Sequence, residues 1–261
     1  MAFTVHAVMP GVWHIVDCMG VCMTLLEGEN AAMLVDTGYG IEDVADFMRH
    51  MTDLPLTVFL THNHHDHAMG ARCFPETYML EADMADWRMF TNDKMRRRVL
   101  TQAIGKNLPV DEKTFLAGEI PLPKVMKPGV IDLGGLTAEI IEAPGHTPGS
   151  AVVYVPERKL LLSGDDWNPC TWLFFPQALG LREYRSNMRG IQQLPFEKVL
   201  CPHREALYDR WMFDDFFNAL TDGNLRAAEP VNIAPHEQID TCQATLPHDQ
   251  VLVFDWAKSG L

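Results

Sequence analysis

The sequence predicts a mixed α/β sandwich. Short apolar runs that are typical of strands alternate along the chain with stretches of helical periodicity. Several neighbouring strands are separated only by short turns, which favours hairpins and argues against a purely parallel, doubly wound sheet. The composition supports a sizeable core, because 47% of the 261 residues are hydrophobic and 21% are charged.

The first third of the chain predicts short strands followed by a helix. Apolar runs at 12–16, 23–27 and 31–35 predict three strands. The polar segment 27–30 supplies a hairpin turn between the last two. From 41 to 51 the apolar residues follow the spacing of one helix face, so we predict an amphipathic helix there.

The remaining two thirds predict further strands and helices around a single core. Strands are predicted at 56–60, 138–141, 151–155, 160–162, 198–201 and 251–254. Helices are predicted over 82–105, 181–192 and 205–220. We expect one domain over 1–261, with the last ~35 residues forming a C-terminal strand or hairpin extension.

The net charge limits the classes of partner. Lys and Arg number 21 against 35 Asp and Glu, which gives a formal charge of −14. Nucleic acids and anionic membranes select positive surfaces, so we expect neither as a partner and expect a small-molecule substrate instead. The basic run from Lys94 to Arg98 is interpreted as a solvated helix face. The oligomeric state is not predicted.

The N-terminal segment and the cysteines indicate a cytoplasmic protein. Residues 1–10 lack the basic and then apolar pattern of a secretory signal, and no apolar run approaches the roughly 20 residues of a membrane span. We therefore expect the six cysteines to be reduced. Cys18 and Cys22 form a pair with no second pair nearby, so a zinc site there is not expected.

Four histidines and an aspartate follow the predicted strand 56–60, in the run Thr-His-Asn-His-His-Asp-His at 61–67. Because side chains alternate along a strand, His62 and His64 should point to the same side. Asp66 and His67 come where the chain must turn, so they can face a second point nearby. Imidazole and carboxylate are the ligand set of open, catalytic zinc sites, so this segment predicts a metal site.

Three later segments each end a strand with a ligand-type residue. His146 lies in a Pro-Gly-His-Thr-Pro-Gly run, Asp165 follows the strand 160–162, and His203 follows Cys-Pro. Functional groups of α/β proteins are usually carried at strand ends, on loops over a rigid sheet. The segments together indicate one composite site.

With these landmarks in this order, the sequence resembles the metallo-β-lactamase-fold superfamily of dinuclear metal hydrolases. The resemblance implies a four-layer αβ/βα sandwich of two mixed β-sheets flanked by helices. It implies two divalent ions, zinc first among them, with iron or manganese as alternatives. The implied ligands are His62, His64 and His146 for one metal, Asp66, His67 and His203 for the other, and Asp165 between them.

The resemblance also implies a reaction. Because the bridging position holds Asp165 rather than cysteine, the pattern is similar to the glyoxalase II and lactonase branches. We expect hydrolysis of a small-molecule ester, lactone or thioester by a metal-bridging hydroxide. Asp66 would pass a proton to the leaving group, and Asp36 would accept a hydrogen bond from a ligand histidine and fix its tautomer. His65 is expected to be a bystander.

Two other reactions and a substrate pocket complete the expectations. A phosphodiesterase could use the same two metals, and a mononuclear iron oxidoreductase resembling the persulfide dioxygenases could use the same histidine motif. The aromatic loop after Asp165 predicts an apolar pocket wall, with arginines on the next helix for a substrate anion. The pocket candidates are Trp167, Trp172, Phe174, Arg182, Arg185 and Tyr184, with Tyr39 as the alternative tyrosine.

Overall fold

The computed structural model describes residues 3–261, and these form seventeen strands and eight α-helices joined by short 3₁₀ turns. The strands are β1 (Thr4–Met9), β2 (Val12–Val16), β3 (Cys22–Glu27), β4 (Ala32–Val35), β5 (Leu56–Phe59), β6 (Tyr78–Met79), β7 (Lys124–Val125), β8 (Gly129–Asp132), β9 (Thr137–Glu142), β10 (Ala151–Val155), β11 (Leu160–Leu162), β12 (Cys170–Leu173), β13 (Lys198–Leu200), β14 (Tyr208–Asp209), β15 (Glu229–Pro230), β16 (Thr241–Leu246) and β17 (Gln250–Asp255). The helices are α1 (Val44–Met51), α2 (His65–Ala68), α3 (Trp87–Thr91), α4 (Asp93–Gly105), α5 (Glu112–Phe115), α6 (Leu181–Ile191), α7 (Arg210–Ala219) and α8 (Asp222–Arg226).

The strands form two large mixed sheets and one smaller sheet. The first sheet has the order β1-β2-β3-β4-β5-β6-β7, antiparallel up to β4 and parallel from there on. The second has the order β14-β13-β11-β10-β9-β8, in which β11 and β13 run parallel and the other neighbours antiparallel. The predicted mixed α/β sandwich is thereby confirmed. The smaller sheet, β12-β17-β16-β15, goes beyond the two sheets that the sequence led us to expect.

Alternation of side chains along the strands builds the layers. On β4, Met33 and Val35 lie in the core between the two large sheets, whereas Ala32 and Leu34 lie in the core beneath α1. This follows from the two-residue period of a strand that is covered on both faces. The first sheet is therefore packed against α1 on one side and against the second sheet on the other.

The second sheet is covered in the same way by α6 and α7. Val153 of β10 faces the first sheet, while Val152 and Tyr154 pack on the helix side. The buried residues of α6 recur at helical spacing and are Leu181, Tyr184, Met188 and Ile191. These four layers place the carboxyl ends of several strands close together, which positions the site described below.

Capping side chains explain where two predicted helices differ from those found. Helix α1 begins at Val44 rather than at 41, because the Asp43 side chain accepts a hydrogen bond from the backbone N–H of Asp46. The predicted helix 82–105 is divided into α3 and α4 at Asn92, whose side chain caps the second helix. The segment 205–220 is helical only within α7, since Tyr208 and Asp209 form β14.

The basic run on α4 is not uniformly solvated, which corrects the interpretation of Lys94 to Arg98 as one exposed face. Arg96 is 1% exposed and donates to the backbone carbonyls of Phe115, Ala117 and Gly118. A guanidinium with five donors can satisfy several carbonyls at once, so Arg96 fastens the loop after α5 to α4. The other basic residues of the run are exposed.

Across residues 3–261, no helix combines the length and the apolar character needed to cross a membrane. All six cysteines are free thiols, and three of them are buried: Cys22, Cys201 and Cys242. Burial raises the pKa of the Cys22 thiol to about 12, which suits a packing residue rather than a nucleophile.

Candidate metal centre

Four segments that follow strands converge to form the site. The run from Thr61 leaves β5, and α2 begins at His65, so Asp66 and His67 project from a helical turn. His146 lies in the loop between β9 and β10, and Asp165 lies in a 3₁₀ turn after β11. His203 follows β13.

Two glycines beside His146 are required by close packing. A Cβ on Gly145 would come within 2.5 Å of the Tyr184 ring, and one on Gly149 would come within 2.6 Å of Asp83. Such distances leave no room for any side chain, so the glycines let this loop lie against α6 and against the Asp83 segment. The loop geometry brings the His146 ring to the other histidines.

The first group of candidate ligands, which we call the three-histidine cluster, consists of His62, His64 and His146. Their donor nitrogens all lie within 4.8 Å of one another, and all three side chains are buried. Nε2 of His146 lies 2.8 Å from Nδ1 of His64. Three neutral imidazoles around one point form a ligand set for a divalent transition metal.

The second group, which we call the Asp66 cluster, consists of Asp66, His67 and His203. Oδ2 of Asp66 lies 3.7 Å from Nε2 of His67 and 3.7 Å from Nε2 of His203. The three donor atoms fall within 4.8 Å of one another. This mixed imidazole and carboxylate set could hold a second cation beside the first.

Asp165 lies between the two clusters. Its Oδ2 is 3.5 Å from Nε2 of His146 and 4.0 Å from Nε2 of His62. Its Oδ1 is 3.4 Å from Nε2 of His67 and 3.1 Å from Nε2 of His203. Nε2 of His203 also lies 3.1 Å from Oδ2. Oδ2 therefore lies near nitrogens of both clusters, whereas Oδ1 lies near the Asp66 cluster alone.

Buried atoms without hydrogen-bond partners test whether these residues fit metal ions. Within residues 3–261, His62 Nε2, His67 Nε2 and Asp165 Oδ1 are buried and accept or donate no hydrogen bond. Leaving a buried polar atom without a partner costs ~1–3 kcal/mol, so three at one point are not expected in a packing core. A cation would satisfy them all, and the donor set fits one.

Partners on the far side of the rings fix which nitrogen faces the centre. Nδ1 of His67 lies 2.9 Å from Oδ2 of Asp36, and Nδ1 of His62 lies 3.0 Å from the Thr61 hydroxyl. Asp36 also accepts from the Thr61 backbone N–H at 2.7 Å. Nδ1 of His146 lies 2.6 Å from the carbonyl of Trp172. These contacts hold the Nδ1 protons, which leaves each Nε2 lone pair directed to the centre.

The three-histidine cluster is electrically neutral. Burial lowers the pKa of His62 and of His64 well below the usual range, and the neighbouring imidazoles add to the shift. Burial also lowers the pKa of His146. Neutral imidazole is the form that coordinates a metal, so these side chains are ready to bind at ordinary pH.

The Asp66 cluster behaves differently because carboxylates surround it. Although burial opposes the charged form, Asp165 and Asp66 raise the pKa of His67 well above its ordinary value. Burial also opposes the charged form of His203. The nearby Asp165 carboxylate outweighs burial and raises the pKa of His203. The cluster therefore favours positive charge at its centre, whether a proton or a metal cation supplies it.

Two phenylalanines form an apolar wall beside the three-histidine cluster. The Phe90 ring centroid lies 4.5 Å from that of His64, and the Phe175 centroid lies 4.8 Å from it. Trp172 is 38% exposed and lies 6.2 Å from Phe175 between ring centroids. Phe174, a predicted pocket residue, is fully buried and stacks on Phe175, with 4.6 Å between ring centroids.

Other predicted pocket residues lie elsewhere. Trp167 is fully buried and packs edge-on against Tyr208, so its ring belongs to the core rather than to a pocket wall. Tyr184 is also fully buried, and its hydroxyl donates to the backbone carbonyl of Asp166. Both side chains are buried in the core between the second sheet and helices α6 and α7, where large apolar groups fill the space.

The remaining two predicted pocket residues and the expected bystander are on the periphery. Arg182 is exposed on α6, and Arg185 of the same helix is paired with Asp222 at 2.7 Å. Among the described residues, none of the candidate metal-ligand groups includes His65. Its ring instead packs edge-on against Tyr39, with 5.5 Å between ring centroids.

Sequence reasoning missed Phe90 and Gln177, which both touch His64. The amide nitrogen of Gln177 lies 2.6 Å from Nε2 of His64. Gln177 follows directly on the aromatic loop, so its proximity to Asp165 in sequence was a usable signal. Phe90 lies on α3, far from every motif in sequence, and nothing in its surroundings marks it.

Comparisons with known proteins agree with this geometry. A family model described as the metallo-beta-lactamase superfamily matches residues 16–203, which contain every candidate ligand. The acyl-coenzyme A thioesterase MBLAC2 of Gallus gallus is 26% identical over 200 residues, covering 69% of this chain and 70% of the relative.

Two solved structures share the fold. A metallo-beta-lactamase family protein of Thermus thermophilus has a TM-score of 0.60 at 20% identity, covering 85% of this chain and 82% of that one. A metallo-beta-lactamase from Pontibacter korlensis has a TM-score of 0.57 at 17% identity, covering 83% and 97%. The match of the family model over most of the chain settles the relationship. This chain belongs to the metallo-beta-lactamase superfamily and is a metal-dependent hydrolase.

Proposed function

We propose that the chain is a dinuclear hydrolase that cleaves acyl thioesters, with carboxylic esters and lactones as chemically related substrates. Two divalent ions, zinc first among the candidates, would be held by the three-histidine cluster and the Asp66 cluster. The observation that carries the proposal is the position of the Asp165 carboxylate between the clusters, 3.1–4.0 Å from two nitrogens of each. A single-metal site would not require that arrangement.

The residues around the centre supply the proton transfer. When bound, the two divalent ions would make a coordinated water molecule more acidic and would polarise the substrate's acyl oxygen. Although burial opposes ionisation, His67 and two further imidazoles lower the pKa of Asp66 to about 2, so this carboxylate is ionised at neutral pH. Asp66 must therefore accept a proton from the attacking water before passing it to the leaving group.

Two observations favour a thioester. The relative from Gallus gallus is described as an acyl-coenzyme A thioesterase. Phe90 and Phe175 line the side of the three-histidine cluster with apolar surface, which suits an acyl chain better than a charged phosphodiester.

A substrate panel with metal analysis tests the proposal. The zinc-reconstituted protein should hold two ions per chain and hydrolyse acyl thioesters with a higher kcat/KM than bis-phosphodiesters. A preference for phosphodiesters would replace the thioester proposal with the alternative chemistry on the same two metals. One iron per chain with oxygen consumption would instead establish the oxidoreductase alternative.

Phe175→Ala should lower kcat/KM for long-chain thioesters. Removal of its ring takes away apolar contact worth ~1–3 kcal/mol in the transition state, and acetyl thioesters should be affected less. Metal content should not change, because phenylalanine cannot be a ligand. The matched control is Trp211→Ala, since Trp211 is an exposed aromatic residue that packs on His248. An equal loss across all chain lengths would contradict an acyl-binding role.

Acidification should release the metal of the Asp66 cluster first. A proton on a histidine nitrogen removes the lone pair that binds metal, and the pKa of His67 and of His203 is raised whereas that of His62 is lowered. Proton competition therefore begins at a higher pH in the Asp66 cluster. Metal content measured after desalting at stepwise lower pH should fall from two ions to one before it falls to none.

The variant His203→Ala provides the control for that titration. This variant should hold one ion per chain at neutral pH. It should keep that ion down to the pH at which the wild-type protein loses its last remaining ion. Loss of both wild-type ions in a single step would contradict the expected order.

A further inference from the structure

Gln177 and Lys258 stand out among residues outside the ligand set, because together they connect a metal ligand to the C-terminal segment. The amide nitrogen of Gln177 lies 2.6 Å from Nε2 of His64. Its other amide atom, Oε1, is buried and has no hydrogen-bond partner within residues 3–261. Such an atom requires an explanation, because an unpaired buried carbonyl oxygen is costly.

His64 differs from the other two members of its cluster in the nitrogen that it presents. His62 and His146 direct Nε2 to the centre, and each holds its Nδ1 proton on a fixed partner. His64 presents Nδ1, which lies 2.8 Å from Nε2 of His146, so its Nε2 faces outward to Gln177. Binding a metal through Nδ1 requires that the proton of this ring sit on Nε2.

The amide of Gln177 can match that requirement. A proton on His64 Nε2 needs an acceptor, and the amide nitrogen found at 2.6 Å is itself a donor. Rotation of the amide group by half a turn exchanges the nitrogen and oxygen at nearly the same positions. Oε1 would then accept from Nε2–H, which fixes the tautomer of His64, and the amide N–H groups would take the position that Oε1 now occupies.

Lys258 holds the loop that carries Gln177. Its ammonium group donates to the backbone carbonyls of Phe175, Pro176 and Ala178, at 3.1, 2.6 and 3.0 Å. These three acceptors use all three N–H donors of the lysine, and they flank Gln177 in sequence. The residues are brought together because β12, which precedes this loop, pairs in parallel with β17, which precedes Lys258.

We propose that Gln177 is a positioning residue that accepts the Nε2 proton of His64 and so directs Nδ1 to the metal, and that Lys258 keeps Gln177 in place. The inference rests on the proposed metal-binding role of His64. By this proposal the C-terminal segment supports the metal centre, because Lys258 lies 81 positions after Gln177 in the chain and holds the loop that carries it.

Metal affinity tests the role of Gln177 independently of turnover. Gln177→Met, which keeps the length but removes the acceptor, should weaken zinc binding at the three-histidine cluster by about 10- to 100-fold, in competition with a chromogenic chelator. Gln177→Glu, which keeps an acceptor, should bind zinc at least as well as the wild type. Gln193→Met at an exposed glutamine is the matched control and should bind normally.

A spectroscopic signature separates positioning from general loosening of the structure. In the zinc-loaded protein, nitrogen-15 NMR of the imidazoles should show His64 as the Nε2–H tautomer, with slow exchange of that proton. The exchange should become fast in Gln177→Met and stay slow in Gln193→Met. Wild-type exchange and wild-type affinity in Gln177→Met would overturn the proposal.

A double-mutant cycle tests the role of Lys258. Lys258→Met should weaken zinc binding, Lys258→Arg should restore part of it, and the double variant with Gln177→Met should be no weaker than Gln177→Met alone. Lys159→Met, which removes an exposed lysine paired with Glu197, is the control. If the losses of zinc affinity in Lys258→Met and Gln177→Met are additive in the double variant, Lys258 does not act through Gln177, and its proposed role is overturned. Failure of the wild type to bind zinc would overturn the proposed function instead.

Discussion

Asp165→Asn is expected to lower kcat/KM by at least ~10³-fold, which corresponds to ~4 kcal/mol of transition-state stabilisation. The substitution keeps the shape of the side chain and removes its charge. Even residues that only support a metal ligand contribute ~10–100-fold to metal affinity or activity. A carboxylate that lies within 4.0 Å of nitrogens from both clusters should therefore contribute more than any supporting residue.

Metal content and thermal stability show whether that loss arises at the centre. Asp165→Asn should hold fewer than two ions per chain, whereas the wild type should hold two. Ligands from four separate segments make metal binding stabilise the folded state by mass action, so a chelator should lower the Tm of the wild type and have little effect on Asp165→Asn.

Asp222→Asn is a suitable control for this experiment, because Asp222 is an exposed carboxylate paired with Arg185 away from the centre. It should keep two ions, wild-type turnover and the chelator-dependent shift in Tm. Two ions and normal turnover in Asp165→Asn would contradict the proposed bridging role of Asp165. If a chelator leaves the Tm of the wild-type protein unchanged, the proposal that these residues bind metal ions is contradicted.

The fold was largely predictable because its signals are local. The four-residue strand β4 and the strand β10 are short apolar runs bounded by polar or proline-containing turns, and α6 shows a clear helical period. Strands β1 and β8 were not predicted, and neither contains a fully buried residue, so burial does not impose a clear apolar pattern on them. Their place in the sheets is set by pairing with a neighbour, which is a tertiary effect.

The candidate ligands were predictable for a different reason. Histidines and aspartates are rarely grouped so closely without a function. The run at 61–67 places four histidines and an aspartate directly after a predicted strand. The contact of Asp36 with His67 could likewise be anticipated, since ligand histidines usually donate their second ring proton to a carboxylate or carbonyl.

The apolar wall beside the three-histidine cluster was predicted less well than the candidate ligands. The aromatic loop after Asp165 holds residues that face opposite ways: Phe175 faces His64, while Trp167 and Phe174 are fully buried. Composition alone cannot assign these directions, because an aromatic ring gains as much from burial in the core as from lining a pocket. The direction is set by β12, whose pairing with β17 was not foreseen.

Asp66→Ala and His65→Ala, at adjacent positions of α2, should differ sharply in effect. Asp66→Ala should abolish measurable turnover, because it removes both a ligand of the Asp66 cluster and the proposed proton carrier, and proton transfer alone contributes ~10²–10⁴-fold. His65→Ala should keep kcat/KM within about tenfold, or ~1.4 kcal/mol, since its ring packs on Tyr39 outside both clusters. Equal damage from both variants would show that the direction assigned to α2 is wrong.

The leaving group separates the two roles of Asp66. Asp66→Asn removes the basic carboxylate but keeps an oxygen that can still contact a metal, so its metal loss should be smaller than that of Asp66→Ala. A thiol leaves as a thiolate more readily than an alcohol leaves as an alkoxide, because the thiol has a much lower pKa, near ~8.5. Asp66→Asn should therefore retain more activity, relative to wild type, on a thioester than on the alkyl ester of the same acid. With metal content matched by added zinc, equal relative losses on both substrates would mean that Asp66 acts as a ligand and carries no proton to the leaving group.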